Sequence, residues 1–323
     1  MIKIAAIALN TFKEAVRNKI LYFLLIFAIL IIFFSAVISD LSIAAPDKLI
    51  KDLGLAAMDF IGFLIAMFVG VYLVYNELDR KTIYTIVSKP INRSQFILGK
   101  YFGLLFTIYV NIAIMTFFFF AVLYYRQAME YEVMNKAMYT ELAPGDYKQN
   151  YTELGYTAMS AGKALVNSAG TMIGVYADPM TAGLLKVITM SSLGLAIITA
   201  FAILFSTFST PTLSAVFTFL TFAIGSLCED IMRYAERLAQ RAGGYEELVG
   251  PDLFKYWFAN ISVLIVPNLA LFDLRLNAIY GADQVAPMLP PPLLDWQTVL
   301  YGVVYTAAVL SLACLIFRKR NFK

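Results

Sequence analysis

Residues 20–39 read ILYFLLIFAILIIFFSAVIS, a stretch of twenty residues without a charge. A helix rises 1.5 Å per residue, so about 20 apolar residues cross the roughly 30 Å hydrocarbon core of a bilayer. In hydrocarbon only a helix satisfies all of its own backbone hydrogen bonds within a single segment. This stretch therefore predicts a transmembrane helix, and the rest of the chain follows the same pattern.

Five further segments predict spans, so we expect an all-α, polytopic membrane protein with six transmembrane helices in a single domain, residues 1–323. The composition agrees, because 60% of the residues are hydrophobic and only 15% are charged, unlike an ordinary soluble domain. The fifth predicted span is short but uncharged. The six predicted spans are residues 20–39, 56–75, 101–125, 184–205, 213–228 and about 298–317.

Lysine and arginine are distributed unevenly between the two sides of the predicted bundle. The N-terminal arm, the connection 76–100 and the C-terminal tail together hold 13 basic and three acidic residues, against 12 basic and 19 acidic residues on the other side. By the positive-inside rule, both termini face the cytoplasm. The small net charge of +3 hides this asymmetry and indicates no nucleic-acid partner.

The residue types needed for catalysis are scarce. The chain has no histidine, which removes the commonest metal ligand and the usual general base. We interpret Cys228 and Cys314 as small buried apolar residues, because both fall in or at the end of apolar segments. Neither Gly-Lys pair, at 99–100 or 162–163, has the neighbours of a phosphate-binding P-loop. We therefore expect no enzyme activity, no catalytic or metal-binding residues and no cofactor in this chain.

The connection 76–100 predicts a short amphipathic helix between the second and third spans. Ile83, Ile86 and Val87 share one helical face, and Pro90 ends the helix. Asn92 and Gln95 then form a partial capping box for the next helix. On periodicity alone, the amphipathic helix either docks into a partner protein or rests on lipid headgroups.

Other segments outside the spans also predict structure of their own. Residues 1–19 have an amphipathic pattern and predict an interfacial helix at the cytoplasmic surface. The outer segments 126–183 and 229–297 are long for loops. Within the second, residues 229–241 predict an amphipathic helix, and residues 253–266 are too short to span and predict an interfacial or re-entrant helix.

The connection resembles a motif of export-type ATP-binding-cassette (ABC) transporter permeases. Glu77, Thr82-Ile83, residues 88–93 and residues 97–100 are similar to the family pattern Glu…Gly-Thr-Leu…Pro-(Leu/Ile)-x-Arg…Leu-Gly-Lys. The likeness extends to the N-terminal helix, the six-span plan and the basic tail. It is strongest to the permeases grouped with multi-copper enzyme maturation, gliding and sodium or drug export. Lys81 stands where that family usually has glycine, and the cargo stays open.

The resemblance implies that the connection is a coupling helix seated on a separate nucleotide-binding subunit. It further implies that the permease itself is present as a homodimer, or as one copy paired with a close relative. It also implies two ABC ATPase subunits that bind ATP and Mg, and a prokaryotic cytoplasmic membrane. The residues that it assigns to ATPase coupling are Glu77, Asp79, Arg80, Thr82, Ile83, Ile86, Val87, Pro90, Arg93, Gly99 and Lys100.

Polar residues at membrane depth are candidates for a pathway or for helix packing. Asn111 lies near the middle of the third span with Thr107 and Thr116 close by, and we expect interhelical hydrogen bonds there. Asp59 is expected to snorkel to the outer interface. Glycines at 99 and 103 permit a close helix approach at the base of the same span.

Two other functions fit the same sequence. A channel or secondary carrier would need no ATPase, but such carriers usually bury paired acids and bases, and the sequence indicates none. A non-transporting membrane scaffold for an envelope complex would use the two large outer segments.

Overall fold

The computed structural model describes residues 2–39, 46–79, 92–141, 179–242, 245, 250–280 and 295–319. Every regular element within these ranges is helical, which confirms the predicted all-α class. In chain order the elements are α1 (Ile2–Val16), α2 (Lys19–Ser39), α3 (Pro46–Asp79), α4 (Arg93–Glu141), α5 (Pro179–Ser206), α6 (Pro211–Ser226), α7 (Cys228–Ala242), α8 (Pro251–Ile265), a 3₁₀ turn (Ala270–Phe272), α9 (Arg275–Tyr280) and α10 (Asp295–Lys319).

Five helices in the described part of the chain are long and apolar enough to cross a membrane, namely α2, α3, α4, α5 and α10. The predicted span 213–228 corresponds to α6, whose 16 residues are too few to cross alone. After Leu227 the chain continues into α7 at a bend of 57°, so α6 and α7 together form at most a broken span. The predicted polytopic architecture is confirmed, with five or six candidate spans.

Two spans belong to helices that are longer than the sequence predicts. α3 begins at Pro46, well before the predicted start of its span at residue 56. α4 continues to Glu141 and so includes the first part of the predicted outer segment 126–183. Residues 126–141 contain no glycine or proline that would end a helix. Proline instead stands at the first position of α3, α5, α6 and α8, where a missing N–H has no cost.

Helices α3 and α5 form the centre of the bundle. In the most apolar stretch of each helix, 72% of the residues of α3 and 78% of those of α5 are buried. The corresponding fractions are 28% for α2 and 22% for α10. Small residues bring the two helices together: a Cβ on Gly62 would lie 2.5 Å from Leu195 Cδ1, and one on Gly70 would lie 3.5 Å from Ala202 Cβ. Residue numbers increase together along the two helices, from Gly62 with Leu195 to Gly70 with Ala202, so α3 and α5 run parallel.

The two ends of the bundle have different elements. The first turns of α4, the C-terminal end of α10 and the amphipathic helix α1 meet at one end, which we call the basal end. The opposite end, called distal, carries the 3₁₀ turn and the helices that flank it in the chain. The N-terminal helix and the end of α10 thus lie on the same side of the bundle.

Candidate functional site

The amphipathic helix α1 packs directly on the first turns of α4. A Cβ on Gly99 would lie 2.6 Å from Ile7 Cβ, and one on Gly103 would lie 2.5 Å from the carbonyl oxygen of Ala8. Glycines four residues apart share one face of a helix, so this face of α4 admits the backbone of α1. The close approach predicted from these two glycines is confirmed, and α1 is the helix that approaches.

Lys100 makes an ionic contact across the same interface. Its side chain is only 1% exposed, and its Nζ lies 3.4 Å from Oε2 of Glu14 on α1, a side chain that is 34% exposed. An ammonium group removed from water requires an acceptor of this kind. Lys100 therefore ties α1 to α4, and any contribution that it makes to coupling acts through α1 rather than by direct contact with another subunit.

Arg93 connects the start of α4 to the end of α10. Its Nη1 donates hydrogen bonds to the carbonyl oxygens of Phe317 at 3.3 Å and Arg318 at 3.0 Å. Carbonyls in the last turn of a helix have no intrahelical donor and carry partial negative charge, so a guanidinium is a good cap for them. Phe96, one turn further along α4, stacks on Phe317 with ring centroids 5.8 Å apart.

The start of α4 is fixed by a side-chain cap. The backbone N–H of Asn92 donates to Oε1 of Gln95 at 3.3 Å, and the N–H of Gln95 donates to the Asn92 carbonyl at 2.9 Å. This is the glutamine half of a capping box, as predicted. The point at which the connection enters α4 is therefore defined by local hydrogen bonds.

Of the remaining predicted coupling residues, only two belong to the described part of the chain. Glu77 and Asp79 belong to the last turn of α3. Arg80, Thr82, Ile83, Ile86, Val87 and Pro90 lie outside the described residues. Three linked segments lie at the basal end: α1, residues 93–103 of α4 and residues 317–319 of α10. We call this set the basal platform.

The polar residues in the middle of α4 bond mainly within the helix. Asn111 is buried, and its Nδ2 donates to the carbonyl of Thr107 at 2.8 Å, which differs from the interhelical bond predicted for it. Its Oδ1 is buried and has no hydrogen-bond partner among the described residues. Thr107 donates to the Gly103 carbonyl at 2.9 Å, whereas Thr116 reaches α3, with its Oγ1 3.9 Å from Met58 Sδ.

Asp59 faces the interior of the bundle near the distal end. Its Oδ2 lies 3.7 Å from Nε of Arg275 on α9, and both side chains are about one quarter exposed, 24% and 26%. The prediction that Asp59 snorkels to the interface is therefore wrong. α3 begins far enough before Asp59 to place it away from the helix end, and the distal segment supplies a cation that the sequence alone does not pair with it.

Arg275 also pairs with Asp273 just before α9. Its Nε donates to Asp273 Oδ1 at 2.7 Å. This hydrogen bond raises the pKa of Arg275, and the charges of Asp273 and Asp59 add to the effect, although burial opposes it. The guanidinium thus stays charged while it lies between two carboxylates from different parts of the chain.

The chain before α9 inserts between the spans as a short plug, residues 266–274. The Leu269 N–H donates to the Gly225 carbonyl at 3.0 Å, and the Asn268 N–H donates to the hydroxyl of Tyr301 on α10 at 3.0 Å. The Phe272 side chain is buried against glycines of α5 and α10. A Cβ on Gly194 would lie 3.4 Å from Phe272, and one on Gly302 would lie 3.0 Å from it. The plug is therefore held by α5, α6 and α10.

A cavity of about 160 Å³ lies between the plug, α3 and α5. Asp59 and Arg275 line it together with two serines, and most of the remaining wall is apolar. In the described ranges no three acidic or cysteine side chains come close enough to hold a metal ion. The chemistry of the site is therefore that of an ion pair in a small, mainly apolar cavity.

Comparison with known proteins adds a family to this geometry. The sequence model of the family described as "ABC-2 family transporter protein" matches residues 5–322, nearly the whole chain. No curated protein matches the chain. The matched range includes the plug, all but the first residues of the basal platform and, in the described part of the chain, each candidate span.

The interface between α1 and α4 can be tested by adding a methyl group to it. In Gly103→Ala the new Cβ meets both the carbonyl oxygen of Ala8 and the Cβ of Thr11, two atoms close to the backbone of α1, so we expect a loss of about 1–3 kcal/mol from overpacking. The measurement is the thermal unfolding midpoint of the purified protein in detergent.

Gly183→Ala on α5 is the matched control, because a Cβ there meets nothing within 4 Å. Alanine is the better helix former, so this control should be as stable as the parent or more stable. Equal midpoints for the two variants would contradict the packing derived for Gly103.

The ion pair at the plug is tested by Arg275→Gln, which leaves Asp59 and Asp273 without their shared cation. Because each paired side chain is about one quarter exposed, we expect a cost of about 1–3 kcal/mol, less than for a fully buried pair. In a background without native cysteines, Ala270→Cys should also become more reactive toward a maleimide.

Arg233→Gln is the control for this loss, because the pair between Arg233 and Asp230 on α7 is 41% and 67% exposed. Exposed pairs contribute about 0–1 kcal/mol, so labelling and unfolding should change little. If both arginine variants behave alike, the pair does not hold the plug.

Proposed function

The chain belongs to the ABC-2 transporter family, and from this premise we propose that it is the permease that couples ATP hydrolysis on a separate ATPase subunit to export or force transmission. The observation that carries the proposal is the basal platform. Three segments that are distant in sequence are joined there by Lys100 to Glu14 and by Arg93 to the end of α10. A force applied at this end would act on several helices at once.

The position of the predicted coupling helix supports this reading. Residues 80–91 connect the end of α3 to the start of α4, which is the part of α4 that holds both α1 and α10. α3 is also one of the two central helices. A partner that displaces the connection would therefore act on the bundle centre through α3 and on the platform through α4.

Charge supports a cytoplasmic location for the basal end. The platform and its neighbouring segments hold the basic residues of the N-terminal arm, the connection and the tail. The positive-inside rule places such clusters on the cytoplasmic side of the membrane. In our proposal the ATPase subunits bind there, and the plug at the distal end closes the outer mouth of the pathway.

The proposed assembly contains two permease copies and two ATPase subunits. The sequence of this chain has no P-loop, so ATP and Mg would bind on the ATPase subunits. Two such subunits that share nucleotides between them would need two platforms, which a homodimer of this chain supplies.

One observation favours the alternative of a nucleotide-independent carrier. Ion-coupled carriers bury paired charges within the membrane, and Asp59 with Arg275 is a charged pair that is about three quarters buried, although it lies near the distal end. Flux through the purified chain in liposomes without ATPase or ATP would support the carrier. The family to which the chain belongs favours the ABC permease.

The coupling role is tested by replacing residues 80–91 with a Gly-Ser linker of equal length. This variant should still insert in the membrane, because the candidate spans are unchanged, but it should lose co-purification with the ATPase subunit of its transporter. The measurement is the ratio of ATPase to permease after affinity purification in mild detergent.

A linker of the same length at residues 281–292 is the matched control, because that stretch joins α9 to the start of α10 in the sequence and contains no residue of the connection 76–100. It should retain the ATPase at the parental ratio. Undiminished ATPase binding by the 80–91 variant would contradict the proposed coupling role.

A further inference from the structure

The cavity of about 160 Å³ beside the plug has polar residues at its opening and apolar residues behind them. Ser226 and Asp273 are exposed, with 39% of the Asp273 side chain accessible. Leu195 and Ile198, which also line the cavity, are at most 4% exposed. A molecule that enters from the distal surface would therefore meet polar groups first and a buried apolar wall beyond them.

The guanidinium of Arg275 is already engaged by a carboxylate of the plug. Its Nε donates to Oδ1 of Asp273 at 2.7 Å, and its Nη2 donates to Oδ2 of the same residue. Two parallel hydrogen bonds of this kind match the fork of a guanidinium to the two oxygens of a carboxylate. The charges of Arg275 and Asp273 therefore compensate each other.

Asp59, which lines the cavity, keeps the capacity to accept further hydrogen bonds. Its Oδ2 lies 3.7 Å from Nε of Arg275, an ionic contact that is longer than the roughly 2.7–3.2 Å of a hydrogen bond. Ser191 on α5 also interacts with this carboxylate. Because a carboxylate accepts up to about four hydrogen bonds, donors inside the cavity can bind to Asp59 beside Arg275 and Ser191.

The charges that line the cavity favour a cationic ligand over an anionic one. Among the described residues of its wall, the charged ones are Asp59, Asp273 and Arg275. Two carboxylates and one guanidinium leave negative charge in excess. Charges in mainly apolar surroundings need a partner of opposite sign. A bound cation would supply that partner, whereas a bound anion would add a further negative charge.

The composition of the wall favours an organic cation over a metal ion. Hard metal ions are surrounded by about six or more oxygen atoms, but most of this wall is apolar. Phe222 and Phe272 belong to the wall, and aromatic rings attract ammonium groups. The volume is close to that of an engineered cavity of about 150 Å³ that binds benzene. One ring with a short head group therefore matches the size of the site.

We propose that the cavity binds a small organic ammonium ion, with its N–H groups on Asp59 and its apolar part against Leu195, Phe222 and Phe272. A primary ammonium has three N–H donors and no acceptor, which suits a carboxylate that can still accept hydrogen bonds. Ala270 of the plug lines the same cavity, so the bound ion would contact the plug. The site needs no contribution from an ATPase and is therefore independent of the proposed coupling role.

The ligand class is tested on the unaltered full-length chain in phosphatidylcholine nanodiscs at neutral pH. The probes are para-fluorobenzylammonium, para-fluorobenzyl alcohol and para-fluorobenzoate, which share one ring and differ in the charge of the head group. Fluorine NMR line widths, corrected with empty nanodiscs, measure binding. We expect the ammonium probe to bind, the alcohol to bind roughly tenfold more weakly, and the carboxylate not to bind. Absence of binding by the ammonium probe, equal binding by the alcohol, or displacement of the ammonium probe by an equal concentration of Na⁺ would overturn the proposal.

Asp59→Asn locates the site, because asparagine keeps the size of the side chain and removes its charge. We expect the affinity of this variant for the ammonium probe to be roughly tenfold lower than that of the parent. Asp230→Asn is the matched control, since this exposed acid of α7 also pairs with an arginine, and its affinity should equal that of the parent. Parental affinity in Asp59→Asn, or an equal loss in both variants, would contradict the assignment. If Asp59→Asn does not fold, the comparison of the three probes on the unaltered chain decides alone.

Discussion

Hydrocarbon offers a polypeptide no hydrogen-bond partner, and this constraint accounts for most of the structure. Buried hydroxyl groups in the helices bond back to a carbonyl three or four residues earlier, as those of Ser35, Thr107 and Thr199 do. Since apolar surface is equally satisfied by lipid, helices associate through close packing rather than through the hydrophobic effect. The closest approaches accordingly occur at glycines, such as Gly62 at the bundle centre and Gly103 at the basal end.

Helix α10 makes hydrogen bonds at both ends of the bundle. At the basal end, Arg93 caps the α10 carbonyls. At the distal end, Tyr301 bonds the plug and Tyr305 bonds the end of α8. A rigid helix moves as one body, so a displacement of its basal end reaches the plug without any change in the intervening side chains. Such an arrangement suits the proposed permease, in which work is done at one side and a pathway opens at the other.

The sequence was sufficient for features that depend on local pattern. Five of the six predicted spans, the cap at Gln95 and the close approach at Gly99 and Gly103 follow from hydropathy, spacing and residue size. The family resemblance rested on a connection whose central residues lie outside the described structure, yet the family itself is the one that the whole chain matches. Periodicity also anticipated α7 and the end of α8 close to Pro267.

Contacts between distant segments could not be predicted in the same way. The partners of Lys100 and Asp59 are 86 and 216 residues away in sequence, and a single sequence provides no register between such segments. The prediction of an interhelical bond for Asn111 was wrong for a different reason. In a helix the carbonyl one turn back is always a nearby acceptor, and the Asn111 amide donates to it. An interhelical bond requires a partner at the same depth, which hydropathy does not specify.

The ion pair at the plug has a property that apolar packing lacks, because its strength depends on whether water reaches it. Two opposite charges 4 Å apart attract by about 4 kcal/mol at an effective dielectric constant of 20, but by only about 1 kcal/mol in bulk water. Asp59 and Arg275 line a small cavity with mainly apolar walls, so their attraction is greatest while that cavity is dry. Once water enters, the attraction falls and the carboxylates and the guanidinium are solvated separately. In the proposed permease, such a pair would hold the plug most strongly while the cavity is dry and least strongly once water has entered it.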